Sequence, residues 1–319
     1  MTRFVLNIPV RGTATCKPSA PLIPALLSEA VPQRISLFSH TTTNLGDTIQ
    51  TVAVRNECNE CNEVNYYVDR DVMNRNDGQP PSFLIANGWF MHPRGENGQY
   101  AFPPPPNIEP FYVSVHIAAP GMLTPEAMLH FQRWQPVGCR DHYTFMLLAG
   151  RGIRCFLSGC VTMTLRRESY GTGQRSGLVF VDVPPPILAG LPDELKSRGE
   201  FLTHACWSYA LQPERERTVH GLLRRYATAN LVVTGRLHCA LACSALSTPV
   251  VLLARRDDPR MSAAALAGLE IYDAMPDLDH IQPPPPTSRA HILRRLLREA
   301  IITRANPLRH GKKFPGDFE

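Results

Sequence analysis

Apolar runs separated by short polar corners recur along most of this chain. "RISLFSH" (34–40) precedes "TTTNLGDTIQTVAVRN" (41–56), and "SFLIANGWF" and "FYVSVHIA" are two further runs of strand length. "QPVGCRD" leads into the helical "HYTFMLLAGRG", which is followed by the strand "IRCFLSGC". A second series starts at "GLVFVDV", continues through the helical "ERTVHGLLRRYATA" and "NLVVTG", and after one more helix reaches "PVVLLA". Strands that alternate with helices in this way predict an α/β protein whose parallel sheets are covered on both faces.

The pattern breaks at residues 166–177, "RRESYGTGQRSG", a polar, glycine-containing stretch that reads as a connection between two units. Residues 1–170 would form the first, 171–290 the second, and 291–319 a closing helix and tail. The length of 319 residues agrees, because single cores tend to split above roughly 250 residues. Proline runs at 103–106, 184–186 and 283–286 predict extended segments that interrupt helices and central strands. The segment "SRAHILRRLLREAIITRA" is a basic amphipathic helix whose apolar set is Ile292, Leu293, Leu296, Leu297 and Ile301. It suits either packing against the body of the protein or peripheral contact with an anionic membrane surface.

Composition narrows the function classes. The net charge of +5 is mild and suits a small anionic substrate better than nucleic acid, for which a concentrated basic stripe is expected. No apolar run has the length of a membrane span, about 20 residues. The opening "MTRFVLNIPVRG" is interrupted by Asn7, Pro9 and Arg11, which argues against a signal peptide. Nine cysteines, an odd number set mostly in apolar contexts, read as free thiols of a reducing cytoplasm. The Cys58–Cys61 pair has no second pair at zinc spacing, so no metal site is expected.

Parallel sheets bind ligands at the carboxyl ends of their strands, beside helix N-termini that offer free N–H groups and partial positive charge. Strand tips supply the candidates: Asn44, Gly46 and Asp47; Asn87; His116; Arg140; Ser158; and Arg236 with His238. Each has a plainer reading. Asp47 suits a first helical turn through the helix dipole, Asn87 before Gly88 suits a turn, and His116 suits a satisfied core histidine. Asp141 reads as a helix cap. Arg140 and Arg236 are harder to explain by packing. Each places a planar, permanently charged fork where a carboxylate or phosphate can be gripped.

The blocks "NLGDTIQ", "GCRDHYT", "SGC" and "VVTGRLHCALACSALSTPVVLL" together resemble the polysaccharide pyruvyl transferase family over about residues 35–255. The resemblance implies two Rossmann-like domains facing across a cleft, as in GT-B glycosyltransferases. It also implies transfer of pyruvate from phosphoenolpyruvate to a sugar, giving a cyclic ketal and phosphate. On that basis Arg140, Arg236, Leu237 and His238 would contact phosphoenolpyruvate, with His238 as general acid. Asp47 is a candidate base for the acceptor hydroxyl. The scheme calls for no cofactor or metal, only the donor and a sugar acceptor, free or lipid-linked, at the inner face of the plasma membrane or in the cytoplasm. A nucleotide-sugar glycosyltransferase of the same architecture and a non-catalytic glycan-binding protein are the alternatives, since fold alone does not fix chemistry.

Overall fold

The computed structural model describes residues 34–60, 66–75, 80–90, 100–207, 209–285 and 287–305. β1 (Arg34–Ser39) leads into α1 (Leu45–Glu60), followed by β2 (Tyr66–Asp69), β3 (Ser82–Phe90), β4 (Ile108–Ile117), α2 (Pro125–Trp134), β5 (Val137–Cys139), α3 (His142–Ala149) and β6 (Cys155–Leu157). These strands form one parallel sheet in the order β2-β1-β3-β4-β5-β6. β3 and β4 are its long central pair. Nearly all their side chains are buried, which is why their sequences read as unbroken apolar runs rather than alternations. Their register shifts between Ala86 and Gly88, where Gly88 adopts a φ of +105° that a side chain would strain.

The second half runs β7 (Leu178–Val181), α4 (Pro185–Ala189), α5 (Asp193–Ser197), β8 (Gly199–Leu202), α6 (Gln212–Thr228), β9 (Leu231–Thr234), α7 (Leu237–Ala245), β10 (Val250–Leu253), α8 (Ser262–Leu266) and β11 (Ile271–Tyr272). It forms a second parallel sheet, ordered β11-β10-β9-β7-β8. The final helix, α9 (Ser288–Ala305), returns to the first half. The α/β reading with two parallel sheets therefore holds. The prolines at 184–186 depart from expectation: Pro184 is the N-cap of α4 and the next two residues open it. A first helical turn tolerates proline because its N–H groups lack intrahelical partners anyway.

The polar stretch at 166–177 lies between the last strand of one sheet and the first of the other, but it is not a loose tether. Leu165 and Tyr170 are buried in the same apolar cluster as α6 and α7. That cluster also takes Leu45, Ile49, Val52 and Ala53 from α1, while Val54 and Cys58 of the same helix pack with β1, β3 and α9. α1 is buried nearly all round, including its polar Asp47, Thr48, Gln50, Thr51 and Glu57, as expected of a helix held between layers.

α9 buries Leu293, Leu297, Ala300 and Ile301 against that first-half cluster, leaving Ile292 57% exposed. Most of the apolar set is thus used inside the protein, as the packing alternative requires. One buried carboxylate fixes the arrangement. Glu57 of α1, 1% exposed, accepts from Arg298 of α9 at 2.8 Å and from Arg166 at 3.2 Å, with Arg294 at 4.0 Å. A lone carboxylate there would be costly, and the three guanidinium groups offset its burial. No helix among the described residues is long and apolar enough to cross a membrane. The opening segment, Cys61 and the tail beyond residue 305 lie outside the described residues.

Strand order reverses between β1 and β3 in the first sheet and between β7 and β9 in the second. Ligands of parallel sheets bind outside the strand ends at such reversals.

Candidate active site

A cavity of about 490 Å³ opens at these two reversals. Its lining comes from the tips of both sheets: Asn44 and Asp47 after β1, Trp89 in β3, Arg140 after β5, His204 after β8, Gly235 to His238 after β9, and Leu253 to Arg255, Asp257, Asp258, Arg260 and Met261 from the end of β10 onward. That volume suits a small ligand.

The start of α1 is fixed by short polar contacts. Gly46 N–H donates to Asn44 Oδ1 at 3.0 Å. Asp47, 2% exposed, accepts through Oδ2 from Thr42 Oγ1 at 3.0 Å and from Arg70 Nη2 at 3.2 Å. Arg70 Nη2 also donates to Asp71 at 3.1 Å. Burial alone would raise the Asp47 pKa, but the charge of Arg70, aided by His40, overrides it and holds the carboxyl well below the usual range. Asp47 Oδ1 makes no hydrogen bond to any described residue.

The three sequence blocks meet here although they are far apart in the chain. Arg140, 1% exposed at the end of β5, donates from Nη1 to Nε2 of His238 at 3.1 Å. A guanidinium only donates, so His238 Nε2 accepts and any ring proton sits on Nδ1. On the other side of the ring, a Cβ added to Gly46 would lie 2.9 Å from His238 Nδ1 and 3.1 Å from Asn44 Oδ1. The glycine of "NLGD" is therefore the space into which the histidine of "RLH" fits. Burial, then the Arg140 charge, drives the His238 pKa well below the ordinary histidine value against an opposing pull from Asp47. His238 is neutral near pH 7 in this state. Arg140 Nε, 3.8 Å from Asp141 Oδ2, makes no hydrogen bond to a described residue.

Arg236 stands immediately before α7 with its side chain 42% exposed, and its Nε donates to Asp182 Oδ2 at 2.7 Å. Asp182 sits at the tip of β7 with φ +44° and also accepts from His204 N–H at 2.9 Å. Leu237 follows Arg236 into the helix and lines the cavity.

Four candidates do not line the cavity: Gly46, which packs against His238, and His116, Ser158 and Asn87. His116 bonds through Nδ1 to Asp141 Oδ2 at 2.6 Å, with Trp89 and Tyr143 beside its ring, and burial lowers its pKa. It is a satisfied core histidine. Asp141 is the expected cap, accepting from Thr144 N–H at 2.9 Å, so the His116–Asp141 pair braces the corner that carries Arg140. Ser158 accepts from Ser114 N–H at 2.9 Å and lies within hydrogen-bonding distance of the carbonyls of Cys139 and Gly159. It props Ser114, which has φ +61°. Asn87 is 2% exposed at the register shift in β3.

Sequence reading missed several lining residues, and also Arg70, the partner of Asp47. Arg260 is bidentate to Asp258, reaching 2.5 Å, and lies over the Trp89 ring at 5.4 Å. Its block, "RRDDPR", follows the strand "PVVLLA" directly, so the strand-tip argument that selected Arg140 would have selected it. Arg70 and His204 follow β2 and β8, strands of four residues with mixed burial that leave little pattern to read.

Among solved structures the chain is similar to a functionally uncharacterized protein of Klebsiella pneumoniae, at 12% identity and TM-score 0.46, over 73% of this chain and 88% of that one. It is also similar to a variant of the wall teichoic acid polymerase TagF, at 10% identity and TM-score 0.43, over 88% of this chain and 91% of that one. Superpositions this loose carry no functional argument. No curated protein matches the chain. The sequence profile of the polysaccharide pyruvyl transferase family, in contrast, matches residues 44–257, a span that holds Asn44 and Asp47, Arg140, and Arg236 to His238, the groups that converge on this cavity. The chain belongs to the polysaccharide pyruvyl transferase family.

Proposed function

We propose that this protein transfers pyruvate from phosphoenolpyruvate to a sugar of a polysaccharide or its precursor, in a cleft between two Rossmann-like halves arranged as in GT-B enzymes. The observation that carries the reading is the contact of Arg140 with His238, with Gly46 beside the other face of the imidazole, inside a cavity of about 490 Å³.

Phosphoenolpyruvate presents a carboxylate and a phosphate, and Arg140 and Arg236 offer planar donors at two sides of the cavity. The N-terminus of α7 adds a partial positive charge. The reaction needs a proton on C3 of the enol, which makes C2 electrophilic. One sugar hydroxyl then adds to C2 and gives its proton to the imidazole that protonated C3. A second hydroxyl displaces phosphate from the same carbon, its proton leaving with the phosphate, and the ketal closes. His238 is the proton donor in this scheme. It reaches that state when an anionic substrate draws Arg140 away from Nε2 and favours the imidazolium by its own charge. Asp47, held ionised by Arg70, is a weak base. Its unpaired Oδ1 is suited to offset positive charge on His238 or on C2.

The direct test incubates the protein with phosphoenolpyruvate and a glycan library. Release of inorganic phosphate together with a mass gain of one pyruvate ketal on a glycan is the expected result. Phosphate release without a pyruvylated glycan, or transfer of sugar from a nucleotide sugar instead, would overturn the assignment.

A further inference from the structure

Between β8 and α6, residues 204–207 have a fixed backbone, and exposed aromatic side chains stand at its end. That backbone is tied to the start of α1: Leu45 N–H donates to His204 O at 2.8 Å, and Cys206 N–H donates to Thr43 O at 3.0 Å. Ala205 pairs with Asn44 as an antiparallel bridge. Arg215, 1% exposed on α6, donates to Thr42 O at 2.7 Å and to Trp207 O at 3.4 Å. Two of these anchor residues, Asn44 and His204, line the cavity. Yet Trp207 is 71% exposed and Tyr209 78% exposed, with ring planes 12° apart and centroids 6.0 Å apart. Leu211, 67% exposed, extends the apolar strip. Tryptophan and tyrosine usually bury their large apolar faces, so two nearly parallel rings left in water at the end of a pinned segment call for a ligand.

We propose that Trp207 and Tyr209 form a carbohydrate-stacking platform that holds the acceptor glycan chain as it enters the cavity past Asn44 and His204. The inference rests on the reading of the cavity as a site of polysaccharide modification. A pyranose ring has a flat C–H face that packs on an aromatic face, while its hydroxyls stay in water at the edges. Rings with only two side-chain torsions offer that face at little ordering cost. The two rings stack on one another and leave apolar faces in water, an extended surface that suits a sugar chain better than a lone monosaccharide or a lipid surface. The fixed backbone keeps the platform aligned with the cavity mouth.

The test measures binding of soluble β-linked gluco- and galacto-oligosaccharides of increasing length by calorimetry, without phosphoenolpyruvate. Trp207→Ala and Tyr209→Ala should each weaken binding of the longer oligosaccharides by roughly tenfold or more, the scale of losing one buried aromatic face. Trp207→Phe should recover most of the loss, and phosphoenolpyruvate affinity should stay at the parent value in all three variants. A parent protein that binds none of these oligosaccharides, or alanine variants that bind them as the parent does, would overturn the platform. Turnover is read separately. Variants that lose oligosaccharide binding in a protein that transfers no pyruvate would leave the platform standing and remove the proposed reaction. Pyruvate transfer with unchanged binding in the variants would do the reverse.

Discussion

The two halves supply positive charge to the cavity in different states. From the first, Arg140 arrives almost fully desolvated, with no carboxylate in hydrogen-bonding contact and a neutral imidazole as its partner. From the second, each arginine in the lining is already matched: Arg236 with Asp182, Arg255 with Asp257, and Arg260 with Asp258. All three pairs are exposed on the arginine side, so water screens them. An incoming anion meets, on one wall, a buried cation whose nearest carboxylate, Asp141 at 3.8 Å, is beyond hydrogen-bonding reach. On the other wall it meets cations already hydrogen-bonded to carboxylates. The first wall should dominate binding, and the second should adjust it.

The largest expected effect belongs to the group lying between the walls. His238→Gln should lower turnover by roughly 10²–10⁴, the usual contribution of a general acid, while phosphoenolpyruvate affinity changes far less. A folded variant within about tenfold of the parent rate would exclude the acid role. Next in size is the contrast between the arginines. Arg140→Lys keeps charge but loses the planar fork, and calorimetry should show phosphoenolpyruvate binding weakened by about 1.5–3 kcal/mol. Arg236→Lys should cost less than about 1.5 kcal/mol, because the native group must first give up Asp182. Equal losses at both positions would erase the distinction between the walls.

A smaller effect sharpens the comparison through protons. The His238 pKa is depressed in the free protein by burial and by Arg140, and a bound trianion opposes that depression. Phosphoenolpyruvate binding near neutral pH should therefore take up protons, and affinity should rise as pH falls toward 6. Calorimetry in buffers of different ionisation enthalpy measures the uptake; a value of zero would show that His238 does not change charge on binding.

A further expected effect concerns stability. His40, His116 and His130 of the first half all have lowered pKa values, burial being the main cause, with His130 down to about 4. The unfolded chain protonates these rings near pH 6.5 and the folded protein only at lower pH, so protons favour unfolding. Their stabilising contribution is complete above about pH 6.5 and is lost as pH falls below it, at up to roughly 1.4 kcal/mol per pH unit for each ring. His220 and His238 of the second half are lowered as well, so amide exchange at pH 5 should accelerate in β9 and β10 as well as in β3 and β4. Exchange unchanged between pH 7 and pH 5 would show that these rings do not oppose protonation in the fold.

Much of this was readable in the sequence because strand tips fall where apolar runs end. "GCRD" and "TGRLH" interrupt such runs with cations, and both cations reach the cavity. The same rule overreached at His116 and Ser158. A tip residue can also serve its own corner, and those two spend their polar atoms on Asp141 and on Ser114. No one-dimensional pattern carried the partner of Asp47. Arg70 follows a four-residue strand beside β1, and its pairing exists only once β2 has docked there. Nor did spacing show that Gly46 makes room for His238, which is a close approach between residues of different sheet layers.

The Glu57 clasp has a consequence for synthesis. α9 covers the face of the first sheet that holds Ile35, Leu37, Phe83 and Ile85, and three arginines, two of them on α9, gather on Glu57. A ribosome therefore translates the cover of the first sheet after everything it covers. Until α9 emerges, that face is covered only in part, by α1, and Glu57 lacks two of its three arginines, whereas β7 to β11 already have their own helices. The order of maturation should run against the order of synthesis, with the second half closing first. Pulse proteolysis of arrested nascent chains that end before residue 288 should leave the second half protected and the first half open; early protection of β1 and β3 would show that the first sheet closes without its last helix.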